Sequence, residues 1–131
     1  MRLIIPEKLP SLNAFLDACK ARNRGYNRHR SNYNSGNAMK QDVQEKIKWY
    51  IISSKLVPID KKVIMHYHWY VPDKLTDKSN IVGFARKAIE DALVKEGILK
   101  GDGWRYVENF RDYFYIDKEN SRIEVEFEEV E

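Results

Sequence analysis

The stretch DKSNIVGFARKAIEDALVKEGILKGD, residues 77–102, decides the fold. Apolar residues recur along it every three or four positions, which predicts an amphipathic helix beginning near Ser79. Gly97 supplies the left-handed residue that ends such a helix. The helix runs roughly 25 Å at a rise of 1.5 Å per residue, so Asp77 and Asp102 leave it at opposite ends. Only the return of the chain through a neighbouring strand can bring these two acids together.

The rest of the chain supplies the elements around this helix. Alternation of apolar and polar residues predicts strands, and apolar residues at helical spacing predict helices. The predicted order is strand, helix, helix, strand, helix, strand, strand, which is an α+β domain: a mixed β-sheet with about three helices, in one domain over residues 1–131. The segments are residues 3–5, 9–23, 36–55, 61–72, 79–97, the run after Gly103, and 122–130.

Composition narrows the class of protein. The chain has 131 residues, of which 43% are apolar and 33% charged, values typical of a globular protein with one core. No apolar run is long enough to span a bilayer, so we expect no membrane association. The single Cys19 excludes an internal disulfide and a cysteine-rich zinc site, which suits the cytoplasm. Its place on an apolar helix face predicts a small packing residue rather than a nucleophile.

Charge is unevenly distributed, although the net charge is only +3. The segment from residue 20 to residue 30 is basic and contains no acid, whereas the chain ends in the acidic RIEVEFEEVE. Such a segment, interleaved with Asn, Gly and Tyr, can neutralise a phosphate backbone, or it can be a solvated loop. The candidate DNA-binding residues are Lys20, Arg22, Arg24, Arg28 and Arg30.

Common catalytic motifs are absent. The sequence contains no GxSxG, Walker loop, HExxH or dinucleotide-binding fingerprint, so we expect no nucleotide cofactor. His66 and His68 share one face of a predicted strand, where two histidines either ligate a metal or lie packed on a partly covered face. No further ligand is near them in sequence, which favours the packed arrangement.

Acids near a lysine are the remaining candidates for chemistry. If the strands flanking the helix are neighbours, Asp77 and Asp102 can meet at one edge of the sheet. Carboxylates there would bind a hard divalent cation such as Mg²⁺, which needs only one or two of them. The alternative is structural: Asp77 caps the helix, Asp102 shapes a turn, and Lys87 pairs with Asp91 one turn along.

The sequence resembles the RusA family of Holliday junction resolvases, small phage and prophage endodeoxyribonucleases, and is most similar to members from Gram-positive phages. The resemblance covers nearly the whole chain, and its pieces occur in the family's order and spacing. They are LPSLNAFLDACKARN, GNAMK, HYHWYVP, DKSNI, FARKAIEDAL, GIL with GDGW, and FYIDKENSRIEVEFEE. The resemblance implies a RusA-like domain, a homodimer, and Mg²⁺- or Mn²⁺-dependent paired nicking of branched DNA (four-way junctions).

The family builds its site from a D-x-D-N motif, a lysine four residues before the Asp of a D-A-L triplet, and an acid after a Gly-rich turn. By position the resemblance implies that Asp77, Lys87 and Asp102 are catalytic. It implies metal ligation by Asp77 and Asp102, with Asp91 as a further metal candidate. Ser79 and Asn80 take the remaining, supporting positions of the first motif.

Ser79 departs from the family pattern, because the family has a second acid where this chain has a hydroxyl group. A hydroxyl is a weak metal ligand and brings no negative charge. Three interpretations stay open: Asp91 or a water substitutes and the enzyme is active, activity is low, or the protein binds junctions without cutting them.

From these observations we predict a homodimeric, Mg²⁺-dependent junction endonuclease in DNA recombination and repair, acting in the cytoplasm of a bacterial host and encoded by a phage or prophage. The main alternative is a non-catalytic protein that binds branched DNA through shape and charge. A third hypothesis is an RNA-binding α+β protein, which requires aromatic residues exposed on the sheet. The candidates for that role are Tyr67, Trp69 and Tyr70.

Overall fold

A computed structural model describes residues 1–23 and 35–131. Within these residues the chain forms three helices and a four-stranded mixed sheet, in the predicted order, so the predicted α+β class is confirmed. The elements are β1 (Arg2–Ile5), α1 (Leu12–Asn23), α2 (Gly36–Ser53), β2 (Lys62–Val71), α3 (Lys78–Lys95), β3 (Val107–Ile116) and β4 (Arg122–Val130).

The sheet has the strand order β1-β4-β2-β3. Strand β4 pairs antiparallel with both β1 and β2, whereas β2 and β3 are parallel, from Val63 opposite Val107 to Val71 opposite Ile116. A parallel neighbour requires the chain to return to the starting end of β2, and α3 makes that crossover. The end of β2 and the start of β3 therefore lie at opposite ends of the sheet.

Strand β2 is central in the sheet, between β4 and β3. Val63, Met65, Tyr67 and Trp69 are buried on one face and pack in the core with apolar side chains from α2 and α3. The hydroxyl group of Tyr67 reaches Glu90 on α3, so this face lies under the helices. The intervening residues of β2 are half-buried on the other face.

Short polar contacts fix where the helices begin. The Ser11 hydroxyl accepts a hydrogen bond from the Ala14 amide at 3.1 Å and so caps α1. Cys19 on α1 is half-buried, and its sulfur lies 2.3 Å from where a Cβ atom at Gly36 would be, so only glycine leaves room for it.

None of the helices in the described part of the chain is long and apolar enough to cross a membrane.

Candidate functional site

Four charged side chains meet beside the C-terminal half of α3, and we call them the lysine–acid cluster: Lys40, Lys87, Asp91 and Asp102. The Lys87 ammonium lies 2.7 Å from an Asp102 carboxylate oxygen and 3.1 Å from Asp91. The Lys40 ammonium contacts the other Asp91 oxygen at 2.7 Å. Three separate elements, α2, α3 and the loop before β3, therefore supply one cluster.

The loop that delivers Asp102 is tied to its surroundings by backbone contacts. The chain leaves α3 through Gly97, whose φ of +78° favours glycine. Gly101 packs so closely on the Tyr106 ring that an added Cβ atom would lie 2.8 Å from it. The carbonyl of Gly103 accepts hydrogen bonds from the amides of Tyr106 and Val107, both at 3.0 Å. Asp102 is thus held at a fixed place relative to Lys87.

The contacts within the cluster stabilise its charged forms. The hydrogen bond to Asp102, followed by the one to Asp91, raises the pKa of Lys87 above its ordinary value. The same bond from Lys87 lowers the pKa of Asp102. Lys87 and Asp102 therefore both stay ionised at neutral pH.

A buried polar network lies under the cluster. Glu90 is only 6% exposed, and burial raises its pKa to about 7. Its carboxylate accepts a hydrogen bond from the Tyr67 hydroxyl at 3.2 Å. Arg86 pairs with Asp112, which also accepts a bond from the Trp69 indole at 2.9 Å.

The network also decides which helical neighbours pair. Arg86 and Glu90 lie one helical turn apart, but Glu90 is buried against Tyr67 and Arg86 bonds to Asp112 on β3. The expected pairing of Lys87 with Asp91 is confirmed.

The N-terminal end of α3 is arranged differently. Asp77 is the N-cap residue, is exposed, and makes no side-chain capping bond. Ser79 is exposed, and the side-chain oxygen of Asn80 accepts a bond from the Asn13 amide at 2.8 Å. Asn80 thus connects α3 to α1, whereas Asp77 and Ser79 face solvent. None of the three is in the lysine–acid cluster.

The structure does not bring Asp77 and Asp102 to one edge of the sheet, contrary to expectation. The flanking strands are neighbours, as the expectation required, but they are parallel. Asp77 follows the end of β2 and Asp102 precedes the start of β3, so the two acids lie at opposite ends. Asp91, which is on the Asp102 side, is about 20 Å from Asp77 along a helix that rises 1.5 Å per residue.

The predicted metal ligands are likewise separated between the two ends of α3. In the described ranges, no group of three or more His, Cys, Asp or Glu residues is placed to hold a metal ion. Asp91 and Asp102 do converge, on the Lys87 ammonium. Mg²⁺ commonly takes one or two carboxylates from a protein, and here the two that converge both contact the Lys87 ammonium. Asp77 lies outside this pair.

The histidines of β2 have partners of another kind. The two ring nitrogens of His66 contact the Tyr113 hydroxyl at 3.0 Å and Glu128 at 2.8 Å. Those of His68 contact Tyr115 at 2.8 Å and Glu126 at 2.6 Å. Both histidines are packed in hydrogen-bonded pairs on the sheet face, which is the arrangement the sequence favours.

The aromatic residues considered for RNA binding are mostly inaccessible. Tyr67 and Trp69 are buried at 0% and 1% exposure. Tyr70 is half-buried, and the Arg122 guanidinium lies 3.6 Å from its ring centroid. The sheet therefore does not expose these three rings for stacking on bases.

The predicted DNA-binding residues fall mainly outside what is described. Lys20 is exposed near the end of α1, and Arg22 lies in the same helix. Arg24, Arg28 and Arg30 lie outside the described residues.

Sequence reasoning missed three residues of this region: Lys40, Glu90 and Trp104. Nothing local in sequence links Lys40 to Asp91. A glutamate among charged helix residues likewise gives no local sign of the burial that Glu90 shows. Trp104 carried a detectable signal, because a tryptophan two residues after a candidate acid in a Gly-rich turn is unusual for a core position.

Comparison with protein-family models finds no model that matches the chain, and a search of curated proteins finds no match. The residues and their geometry therefore carry the functional argument.

Proposed function

We propose that the protein is a structure-specific DNA endonuclease that resolves four-way junctions by metal-dependent phosphodiester hydrolysis. The observation that carries the proposal is the convergence of Asp91 and Asp102 on the Lys87 ammonium, at 3.1 and 2.7 Å. Two carboxylates with an adjacent lysine are the groups that metal-assisted phosphoryl chemistry requires. The sequence resemblance to the RusA resolvases supports the same reaction.

Each residue of the cluster has a role in this proposal. Asp91 and Asp102 would hold Mg²⁺ or Mn²⁺, and the bound ion would supply Lewis-acid chemistry for phosphodiester hydrolysis. Lys87 keeps its positive charge, because its pKa is raised, and it neutralises the scissile phosphate. Lys40 holds Asp91 in position.

The substrate supplies the reason for a dimer. A four-way junction has two-fold symmetry, and a homodimer with the same symmetry places one cluster at each of two like strands. The basic residues from Lys20 to Arg30 contact the phosphates of the DNA arms, where they position the substrate without reading its sequence. This function belongs in the cytoplasm of a bacterial host, with a gene of phage or prophage origin.

A second candidate is a non-catalytic protein that binds branched DNA. The arrangement at the start of α3 favours it: Ser79 is exposed and replaces an acid of the family motif, and Asp77 is about 20 Å from Asp91 along the axis. In this case Lys87 and Lys40 permanently neutralise the two carboxylates, and the cluster stabilises the fold.

The deciding experiment incubates a four-way junction, labelled on each strand in turn, with the purified protein, with and without Mg²⁺ or Mn²⁺. We expect symmetric nicks that depend on metal and disappear in Asp102→Asn. The matched control is Asp60→Asn, which removes an exposed carboxylate that pairs only with Lys100 among the described residues.

Three outcomes distinguish the candidates. Nicking by the wild type and by Asp60→Asn, but not by Asp102→Asn, supports the enzyme. Junction binding without nicks, with cleavage only in Ser79→Asp, supports the non-catalytic protein. Equal binding to junctions and to linear duplex contradicts both.

A further inference from the structure

The loop before β3 exposes a tryptophan beside the lysine–acid cluster. Trp104 is 94% exposed, the highest value among the large apolar side chains that the structure describes. It follows Asp102 by two residues. Isolated exposed apolar side chains need no functional explanation, but an exposed indole next to the charged groups of a candidate site is different.

Backbone contacts on both sides anchor the turn that carries the indole. The Gly103 carbonyl before it accepts bonds from the amides of Tyr106 and Val107. The Tyr106 carbonyl after it accepts a bond from the Val63 amide at 3.0 Å, which ties the loop to β2. The exposure of Trp104 is therefore a property of an anchored turn.

The neighbouring residue carries a positive charge without a carboxylate partner. The Arg105 guanidinium lies 5.8 Å from the centroid of the Tyr106 ring, and no described acid forms an ion pair with it. Among the described residues, none stacks on the Trp104 ring or places a cation over it. The turn thus offers a free aromatic face beside an unpaired cation.

This combination is the one that unpaired nucleic acid binds. Bases stack on aromatic side chains regardless of sequence, and adjacent cations contact the backbone phosphates. Branched DNA has strained or unpaired bases at the branch point, where stacking on a protein ring replaces the lost stacking within the duplex. A phosphate at Lys87 would place the neighbouring nucleotide next to the loop that holds Trp104.

We propose that Trp104 stacks on a nucleobase at the branch point, next to the phosphate at the cluster, while Arg105 contacts the adjoining phosphate. This inference rests on the proposed junction function, and it names the residue that recognises the branch. It also explains why the turn keeps a tryptophan in water: the indole is covered only when DNA is bound.

The chain provides its own control. Trp49 on α2 is also exposed, at 57%, and the Lys48 ammonium lies 5.7 Å from its ring centroid. Trp49 is thus an exposed indole beside a cation, like Trp104, but it lies on α2 rather than in the loop before β3. Trp49→Ala therefore reports on the general effect of removing such a ring. Trp69 is buried and reports little on solvent.

The experiment measures binding and fluorescence together. In a Trp49→Phe background, Trp104 emission is followed while an unlabelled four-way junction, a linear duplex of equal length or a single strand of thymidines is added, in buffer without divalent metal. We expect quenching with the junction and the single strand, and little with the duplex. Trp104→Ala should weaken junction binding about 10-fold or more, and Trp104→Phe should retain most of the affinity.

Salt dependence separates stacking from charge. The measured quantity is the slope of the logarithm of the binding constant against the logarithm of the salt concentration. Trp104→Ala should leave this slope unchanged. Arg105→Gln should reduce its magnitude by about one, the effect of one lost phosphate contact. A purely structural role for Trp104 would not produce this difference. Trp49→Ala should bind like the wild type.

Several results would overturn the inference. If Trp104→Ala binds the junction as tightly as the wild type, the inference is wrong. The proposed function still stands in that case if the protein cleaves junctions. A blue shift of Trp104 emission with rising protein concentration, without DNA, shows that a second copy covers the ring and also overturns it. If the wild type shows no preference for junctions, the proposed function fails, and the single-strand titration then decides whether Trp104 binds bases.

Discussion

The two ends of α3 carry similar acids but use them differently. At the start, Asp77 is an exposed N-cap residue without a side-chain capping bond. In the second half, Asp91 and Asp102 share one ammonium group and bring α3 together with the loop before β3. The difference follows from topology, because a parallel pair of strands separates the end of one from the start of the next.

This difference shows that a sequence motif and a site are separate things. Residues 77–80 resemble most of the first motif of the RusA family, yet within one chain Asp77 is far from Asp102. Chemistry requires charges that converge in space, and here they converge at the lysine–acid cluster. The following predictions test the contrast between the two ends.

The largest effect is expected from removing one carboxylate at each end. Asp91→Asn should lower the metal-dependent nicking rate by about 1,000-fold, the upper range for loss of one charged group at a reacting centre. Asp77→Asn should stay within about threefold of the wild type, because a cap without a side-chain bond contributes little. The rates are measured on labelled junctions under single-turnover conditions. Equal losses would show that both ends act in one site, which requires a second copy of the chain.

A large loss of stability is expected where the middle of α3 is anchored to β3. Asp112→Ala removes the partner of Arg86 and of the Trp69 indole and should lower the free energy of unfolding by about 3 to 4 kcal/mol, since it leaves a partly buried charge unpaired. Urea denaturation measures this. Asp117→Ala breaks the more exposed pair with Arg122 and should cost less than about 1 kcal/mol. If Asp112→Ala lost less than about 1 kcal/mol, the network would not anchor the helix.

Glu90, in the second half of α3, makes the stability of the folded protein depend on pH. Burial raises its pKa from 4.5 to about 7, so the folded protein binds the proton more tightly than the unfolded chain. The resulting stability is complete below pH 4.5 and is lost as the pH rises through 7. Glu90→Gln cannot ionise, so above pH 7 it should exceed the wild type by about 3 kcal/mol, and the two should agree near pH 4. Parallel curves from pH 4 to pH 8 would contradict this assignment.

The smallest effect is expected at the start of α3. Asn80→Ala removes the acceptor of the Asn13 amide and should cost about 1 kcal/mol in urea denaturation. Asn37→Ala, at an exposed position in α2, serves as the control and should stay within about 0.5 kcal/mol. A cost above that of Asp112→Ala would reverse the contrast between the two ends.

Much of the fold follows from local sequence pattern. The third helix was predicted between Ser79 and Gly97 and is observed at Lys78–Lys95, because the apolar stripe and the left-handed glycine act within a few residues. Alternation of apolar and polar residues predicted a strand over residues 61–72, and β2 is observed at Lys62–Val71.

The candidate site was only partly predictable. Lys87 and Asp91 lie one helical turn apart, so their contact could be read from spacing. The Lys40 contact and the burial of Glu90 depend on packing between distant segments, which local periodicity does not contain. The direction of β3 decided where Asp102 lies, and sequence left that direction open.

The most direct test of the account is to locate Mn²⁺ by NMR, because this ion broadens the signals of nearby amides. Substoichiometric Mn²⁺ should broaden the amides of Lys87, Asp91 and Asp102 and leave those of Asp77, Ser79 and Asn80 sharp. In Asp102→Asn the broadening at the cluster should disappear. Broadening centred on Asp77, or none that Asp102→Asn removes, would contradict the claim that the functional site lies at the lysine–acid cluster.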